Sequence, residues 1–278
     1  MYQPQSSAQR STRERRAFWI RKLFSLTGVV PLGAYVVVYL WIGARAIQGR
    51  DAFDAAVLDW QSGPYALVTE LLLFWIPLVF HAAIGLRLLT MARPSFRRAP
   101  YAGQWLYVTQ RASALVALAL IGYHGYRFRW EPLFGRVERE DLFGWLCAEL
   151  SATQAGVPWL AIFYLVGLAA VTFHLARGLH GFCFSWGITV SRRAERRAAG
   201  IFGLFGVLLY VVGASTVIYF ATGSRYTLST PSLVSRPPAI TCREVGGPSP
   251  ALSLAQPGSP TPSVKSPPKD ANAQREPR

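Results

Sequence analysis

Apolar residues dominate the chain in five long runs separated by short polar stretches. The runs span roughly Leu23 to Ala44, Tyr65 to Leu86, Trp105 to Tyr126, Val157 to Trp186 and Ala198 to Thr222. Each has the ~20 residues that a helix needs to cross a hydrocarbon layer ~30 Å thick. In lipid the backbone must satisfy its own hydrogen bonds, so each run predicts a helix rather than a strand. The expected fold is all-α, a five-helix transmembrane bundle. Gly28, Pro31, Gly33 and Pro77 interrupt spans, which membrane helices tolerate where neighbours pack closely. A soluble protein with long buried helices fits less well, because soluble helices are shorter and amphipathic.

Composition then changes at the end of the chain. Residues 223–278 are rich in Pro, Ser and Ala and nearly free of aromatics. Such a segment buries too little apolar surface to offset its ordering entropy and is expected to be disordered. The organisation is therefore a short N-terminal segment (1–19), the membrane bundle (20–222) and a tail (223–278).

The formal net charge of +15 raises nucleic acid as a partner, but its distribution indicates membrane topology instead. The N-terminus carries Arg10, Arg13, Arg15, Arg16, Arg21 and Lys22 against Glu14. The connection after the second span carries Arg87, Arg93, Arg97, Arg98 and Arg111 without an acid. The connection after the fourth carries Arg192, Arg193, Arg196 and Arg197 against Glu195. The other two connections hold six arginines and eight acids. The positive-inside rule puts the N-terminus in the cytoplasm and the C-terminus outside. The first span is too long for a signal-peptide core and reads as an uncleaved helix.

Candidate chemistry lies in the histidines. His81 is in span two, His124 in span three, and His174 and His180 in span four. A single histidine in a span is more often a hydrogen-bonded packing residue. His81, however, is 16 residues past Tyr65 and His174 is 17 past Val157, on two helices that both run inward. At 1.5 Å per residue both lie about 24 Å below the outer edge. Two imidazoles at one depth can grip a metal from opposite sides, as bis-histidine haem requires. Cys147, Cys183 and Cys242 form no CxxCH motif, so such a haem would be non-covalent. His124 lies near the outer end of its helix, where the facing position on span one holds Tyr39.

Two full charges lie deep in spans, Glu70 and Arg177. Glu70 precedes His81 by 11 residues, about 20° off three full turns, so both are expected on one side of the helix, ~16 Å apart along its axis. It is either a neutral packing acid or a proton-exchanging group at an outer cavity. Arg177, nearly one turn inward of His174, either pairs with a haem propionate or snorkels to the cytoplasm. His180 is expected to point about 120° away from His174.

The stretches RKLFSLTGVVPLG (Arg21–Gly33), FWIPLVFHAAIGL (Phe74–Leu86), QWLYVTQRASALVALALIGYHGYRFR (Gln104–Arg129) and FYLVGLAAVTFHLARGLHGFCFSWGITVSRRAERR (Phe163–Arg197) add a further indication. With them the chain resembles the cytochrome b subunits of succinate dehydrogenases and fumarate reductases, of the five-helix type that binds two haems. The resemblance covers about residues 15–222. It implies that His81 and His174 bind the haem b nearest a cytoplasmic iron–sulfur subunit, that His124 ligates an outer haem, and that Glu70 marks a quinone site. It further implies a flavoprotein subunit that oxidises succinate and a location in the cell inner membrane. Two departures stand out: Tyr39 where the family has a histidine, and His180 where a bulky aromatic is usual. The residues supply one complete histidine pair and one orphan. The outer site is then either empty or holds a haem through His124 alone, since a neutral phenol is a poor iron ligand.

Two other readings share part of this pattern. The cytochrome b anchor of another respiratory dehydrogenase would use similar histidines. A haem-free transporter or membrane scaffold would give a colourless protein, and no internal repeat supports a transporter.

Overall fold

A computed structural model describes residues 7–91, 102–134 and 142–223, all within one contact unit. The expected disordered tail, Cys242 and the arginines at 93, 97 and 98 lie outside the described residues. The described part is all-α, with five helical runs long and apolar enough to span a membrane: Thr12–Gln48, Ala66–Thr90, Trp105–Trp130, Trp159–Ser185 and Arg192–Thr222.

Span one is built from α1 (Ser7–Val29), α2 (Pro31–Ala44) and a 3-10 turn, Arg45–Gln48. The helix already runs through the basic N-terminal segment, which was read as preceding the span. Pro31 has no amide to offer the preceding turn, so one rung is missing where α1 meets α2. The helical path continues through the bonds from Val30 N to Leu26 O and from Ala34 N to Val30 O.

Span two consists of α4 (Ala66–Glu70), a π-helical turn (Leu71–Trp75) and α5 (Ile76–Thr90). Span three is α6 (Ala102–Gly125) followed by a second π-helical turn, Tyr126–Trp130, and the short α7, Glu131–Leu133. It therefore runs beyond the expected end at Tyr126, and carries Arg127 and Arg129 in its last turns. Spans four and five are α9 (Trp159–Ser185) and α10 (Arg192–Thr222).

The helix α9 is the centre of the bundle. Its buried residues Ala161, Tyr164, Gly167, Val171 and Leu175 recur every three or four positions, and it packs against α10, α6 and α1. Close approach depends on small residues, as in other membrane bundles. A methyl added at Gly206 of α10 would fall 2.8 Å from Ala176 Cβ and 3.1 Å from the Thr172 carbonyl. The outward faces are apolar and exposed, at Leu72, Val79, Leu204 and Leu208 among others, as lipid-facing surfaces must be.

Two helices that hydropathy alone did not indicate occupy the connections after spans one and three: α3 (Arg50–Ser62) and α8 (Leu142–Ser151). Phe53 of α3, Phe143 of α8 and Phe220 of α10 are buried against one another, with ring centroids 5.3 to 6.0 Å apart. The Asp54 carboxylate accepts a bond of 3.1 Å from the Phe143 amide. Arg127 pairs with Glu131 and, at 2.6 Å, with Glu149, tying α8 to the end of span three. Together these elements roof one end of the bundle.

Candidate functional site: two stacked histidine chambers

The inner chamber brings together the two histidines that matched in depth. His81 of α5 and His174 of α9 face each other with ring centroids 6.4 Å apart and planes at 90°. Each ring is fixed through Nδ1. His81 Nδ1 lies 3.0 Å from the Phe24 carbonyl, and the ring stacks on Phe24 at 4.3 Å. His174 Nδ1 lies 3.2 Å from the Gln110 carbonyl. A carbonyl only accepts, so His81 Nδ1 carries the proton and its Nε2 keeps the lone pair, while His174 Nδ1 is also within 3.2 Å of the Gln110 side-chain amide nitrogen and 3.4 Å of Ser113 Oγ. The end of α1 packs against α5. A methyl on Gly28 would meet His81 Cε1 at 2.5 Å, so only glycine leaves room for this ring.

Buried polar atoms without partners lie on α9, which carries His174, and on α6, which packs against it. Gln110 Oε1 and Arg111 Nε of α6 and Arg177 Nε of α9 are buried without a hydrogen bond. Arg177 Nη1 contacts His180 Nδ1 at 3.3 Å, which gives His180 a local partner away from the pair. Unpaired buried groups are costly, so their clustering marks a place where a polar or anionic group is received.

The outer chamber is a cavity of about 250 Å³ with mainly apolar walls, including Phe74, Leu120, Phe128 and Val217. Tyr39 and His124 face each other in it at 6.4 Å between ring centroids, the separation of the inner pair. His124 Nδ1 is 3.2 Å from the Tyr164 hydroxyl. The expected Tyr39–His124 apposition is therefore present.

Glu70 is 6% exposed and paired. Its Oε2 accepts from Arg129 Nε at 2.6 Å and its Oε1 from Trp75 Nε1 at 3.0 Å. Arg129 is a cavity-wall residue, whereas Glu70 lies behind it. Sequence reasoning missed this partner because it ended span three at Tyr126. The aromatic residues Tyr126, Phe128 and Trp130 around the arginines were the available signal that the helix still lay in the membrane. The expectation that Glu70 and His81 share a helix side also needs correction. The π-helical turn between them inserts a residue, which offsets everything beyond it by roughly 100°. Glu70 is directed at span three and His81 at span one and His174.

Among the described residues no three His, Cys, Asp or Glu side chains converge on one point. A metal at the His81–His174 pair would take its remaining ligands from a non-protein group.

The chain is similar to the succinate dehydrogenase cytochrome b558 subunit of Bacillus subtilis, at 29% identity over 205 residues. The matched region covers 74% of this chain and 98% of that protein. No protein-family model and no solved structure matches the chain. The similarity and the five apolar helices together make it a multi-pass membrane protein.

Proposed function

We propose that this chain is the cytochrome b membrane-anchor subunit of a succinate:quinone oxidoreductase, holding haem b between His81 and His174 and passing electrons from an iron–sulfur subunit to quinone. The observation that carries this reading is the inner pair itself: two imidazoles from different helices that face each other, each held through Nδ1 by contacts from a third segment. Two nitrogens that share one metal at bonds of about 2 Å put their ring centroids roughly 6 Å apart, which the observed 6.4 Å matches. The nearly full-length similarity to a succinate dehydrogenase cytochrome b subunit supports the same assignment.

Haem b, when bound, supplies one-electron redox chemistry. The chain's own groups hold and orient it. The Phe24 carbonyl fixes the tautomer and angle of His81, and Gln110 and Ser113 hold the angle of His174, the usual service of an outer shell. Arg177, Arg111 and the Gln110 side chain offer buried donors and an acceptor to the propionates. The apolar helices exclude water from the site.

The outer chamber supports a second haem site with one protein ligand. His124 offers Nε2 when its Nδ1–H donates to Tyr164, and Tyr39 stands opposite as a neutral phenol. The iron there would be five-coordinate and high-spin. At the cavity wall Arg129 presents N–H donors to a quinone carbonyl, and Glu70 behind it is the proton-exchanging group.

The partners of this reading are the flavoprotein and iron–sulfur subunits, at the cytoplasmic face of the inner membrane. The basic groups Arg87, Arg111, Arg192 and Arg193 lie towards that face, while Asp51, Asp54 and Glu149 lie at the other. Cys147, at the acidic end, is disulfide-bonded, which suits an oxidising compartment outside.

The test is the visible and EPR spectrum of the purified complex. His81→Ala and His174→Ala should each abolish the same low-spin haem signal. Loss in only one of the two variants would break the pairing, and a colourless wild-type complex would end the cytochrome reading.

A further inference from the structure

At the end of the bundle opposite the roof, residues of the turn between α9 and α10 line an open depression. Its mouth is basic. Arg193 and Arg197, one turn apart on α10, line it, while Glu195, the acid in the first turn of α10, does not. The depression sits at the amino end of a 31-residue helix, where unpaired amides and the helix dipole favour an anion. Ser191 caps that end through its bond of 3.2 Å from Ala194 N.

Thr189 gives an independent indication. It is only 9% exposed, it lines the depression, and its Oγ1 is buried without a hydrogen-bond partner. A hydroxyl both buried and unpaired is costly unless something in the depression bonds to it. The remaining lining is of opposite character. The exposed Ile201 and the half-buried Phe202 line the side away from the arginines, at the surface rather than at depth, and an exposed apolar stripe continues along α10 through Leu204, Leu208 and Val211. A basic mouth with a buried hydroxyl, opening onto a lipid-facing groove, has the chemistry of a single amphiphile.

We infer that the α9–α10 turn binds one anionic phospholipid, its phosphodiester held by Arg193, Arg197 and Thr189 Oγ1 and one acyl chain lying along the α10 stripe. The site is separate from both histidine chambers, while its cytoplasmic position and the haem control used below rest on the proposed function. Basic pockets between helices on the cytoplasmic side are where anionic headgroups bind. The free-phosphate alternative lacks a use for the apolar wall. The groups nearby that could compete, Lys22 and Trp186, are occupied with each other and with the Ser185 carbonyl.

The experiment uses the complete, detergent-purified complex, stripped of lipid and titrated with phosphatidylglycerol, with native mass spectrometry as the readout. One tightly retained phosphatidylglycerol per chain is expected, with phosphatidylcholine retained far less. Arg193→Gln and Arg197→Gln should each weaken retention about fivefold. Thr189→Val should weaken it about tenfold, since it removes a hydrogen bond to a charged group. Arg192→Gln and Arg196→Gln, whose side chains do not line the depression, serve as controls with retention unchanged. An intact haem spectrum and melting temperature show that each variant is folded. Equal losses from the control arginines would reduce the effect to diffuse surface charge and overturn the site. So would displacement of the lipid by inorganic phosphate at comparable concentration, or finding the depression covered by a partner subunit in the assembled complex.

Discussion

Gly28→Ala should damage the inner haem site although Gly28 touches no metal. An alanine Cβ there would sit 2.5 Å from His81 Cε1 and 3.0 Å from its Nδ1. Ordinary carbon contacts begin near 3.4 Å, so the ring must move by about 1 Å. It has little freedom to do so. Phe24 stacks on one of its faces at 4.3 Å, and the 3.0 Å bond to the Phe24 carbonyl stretches beyond hydrogen-bonding range under such a shift. Loss of an orienting bond of this kind typically lowers metal affinity about 10- to 100-fold. The substitution itself favours the helix by about 1 kcal/mol, so unfolding of α1 does not explain a loss. The assay is haem per chain by pyridine haemochrome, together with the low-spin EPR signal of the oxidised complex. Gly122→Ala and Gly178→Ala, where an added methyl meets nothing within 4 Å, are the matched controls. A Gly28→Ala complex with full haem content and an unchanged low-spin signal would refute the packing argument, and with it the orientation assigned to His81.

Further expectations concern the outer half of the bundle. Glu70→Gln leaves Arg129 buried opposite a neutral amide, which should cost about 3–5 kcal/mol and appear as a lower melting temperature, whereas the double change Glu70→Leu with Arg129→Leu should recover much of it. The same Glu70→Gln complex should lose quinone-linked turnover and keep succinate oxidation with an artificial dye; a parallel fall in both would make Glu70 purely structural. Tyr39→His should convert the outer haem from high-spin to low-spin, since a second nitrogen then faces His124 across 6.4 Å; two low-spin haems already present in the wild-type chain would contradict the single-ligand site. A reporter fused after Gly223 should be outside, and a cytoplasmic readout would overturn the topology.

The five spans were legible in the sequence because burial of apolar residues in lipid and satisfaction of the backbone are local requirements. Each run of ~20 apolar residues must be helical whatever its neighbours do. Depth was legible for the same reason: a fixed rise per residue put His81 level with His174 and Tyr39 level with His124, and both pairs face each other at 6.4 Å. Azimuth was not. Which way a side chain points depends on the accumulated turn of its helix, and the π-helical turns at Leu71–Trp75 and Tyr126–Trp130 reset that angle without any mark in the hydropathy. Glu70 thereby finds Arg129 rather than sharing a side with His81. The helices α3 and α8 escaped notice because they are short and lie in connections that carry charges, and the phenylalanines at 53, 143 and 220 become one cluster only when three distant segments meet. The carbonyls that orient the two inner histidines carry no side-chain identity at all. Their position, and the space that Gly28 leaves for a ring, exist only once α1 is packed against α5 and α6 against α9, so the sequence determined which residues reach each depth while helix packing decided what each of them touches.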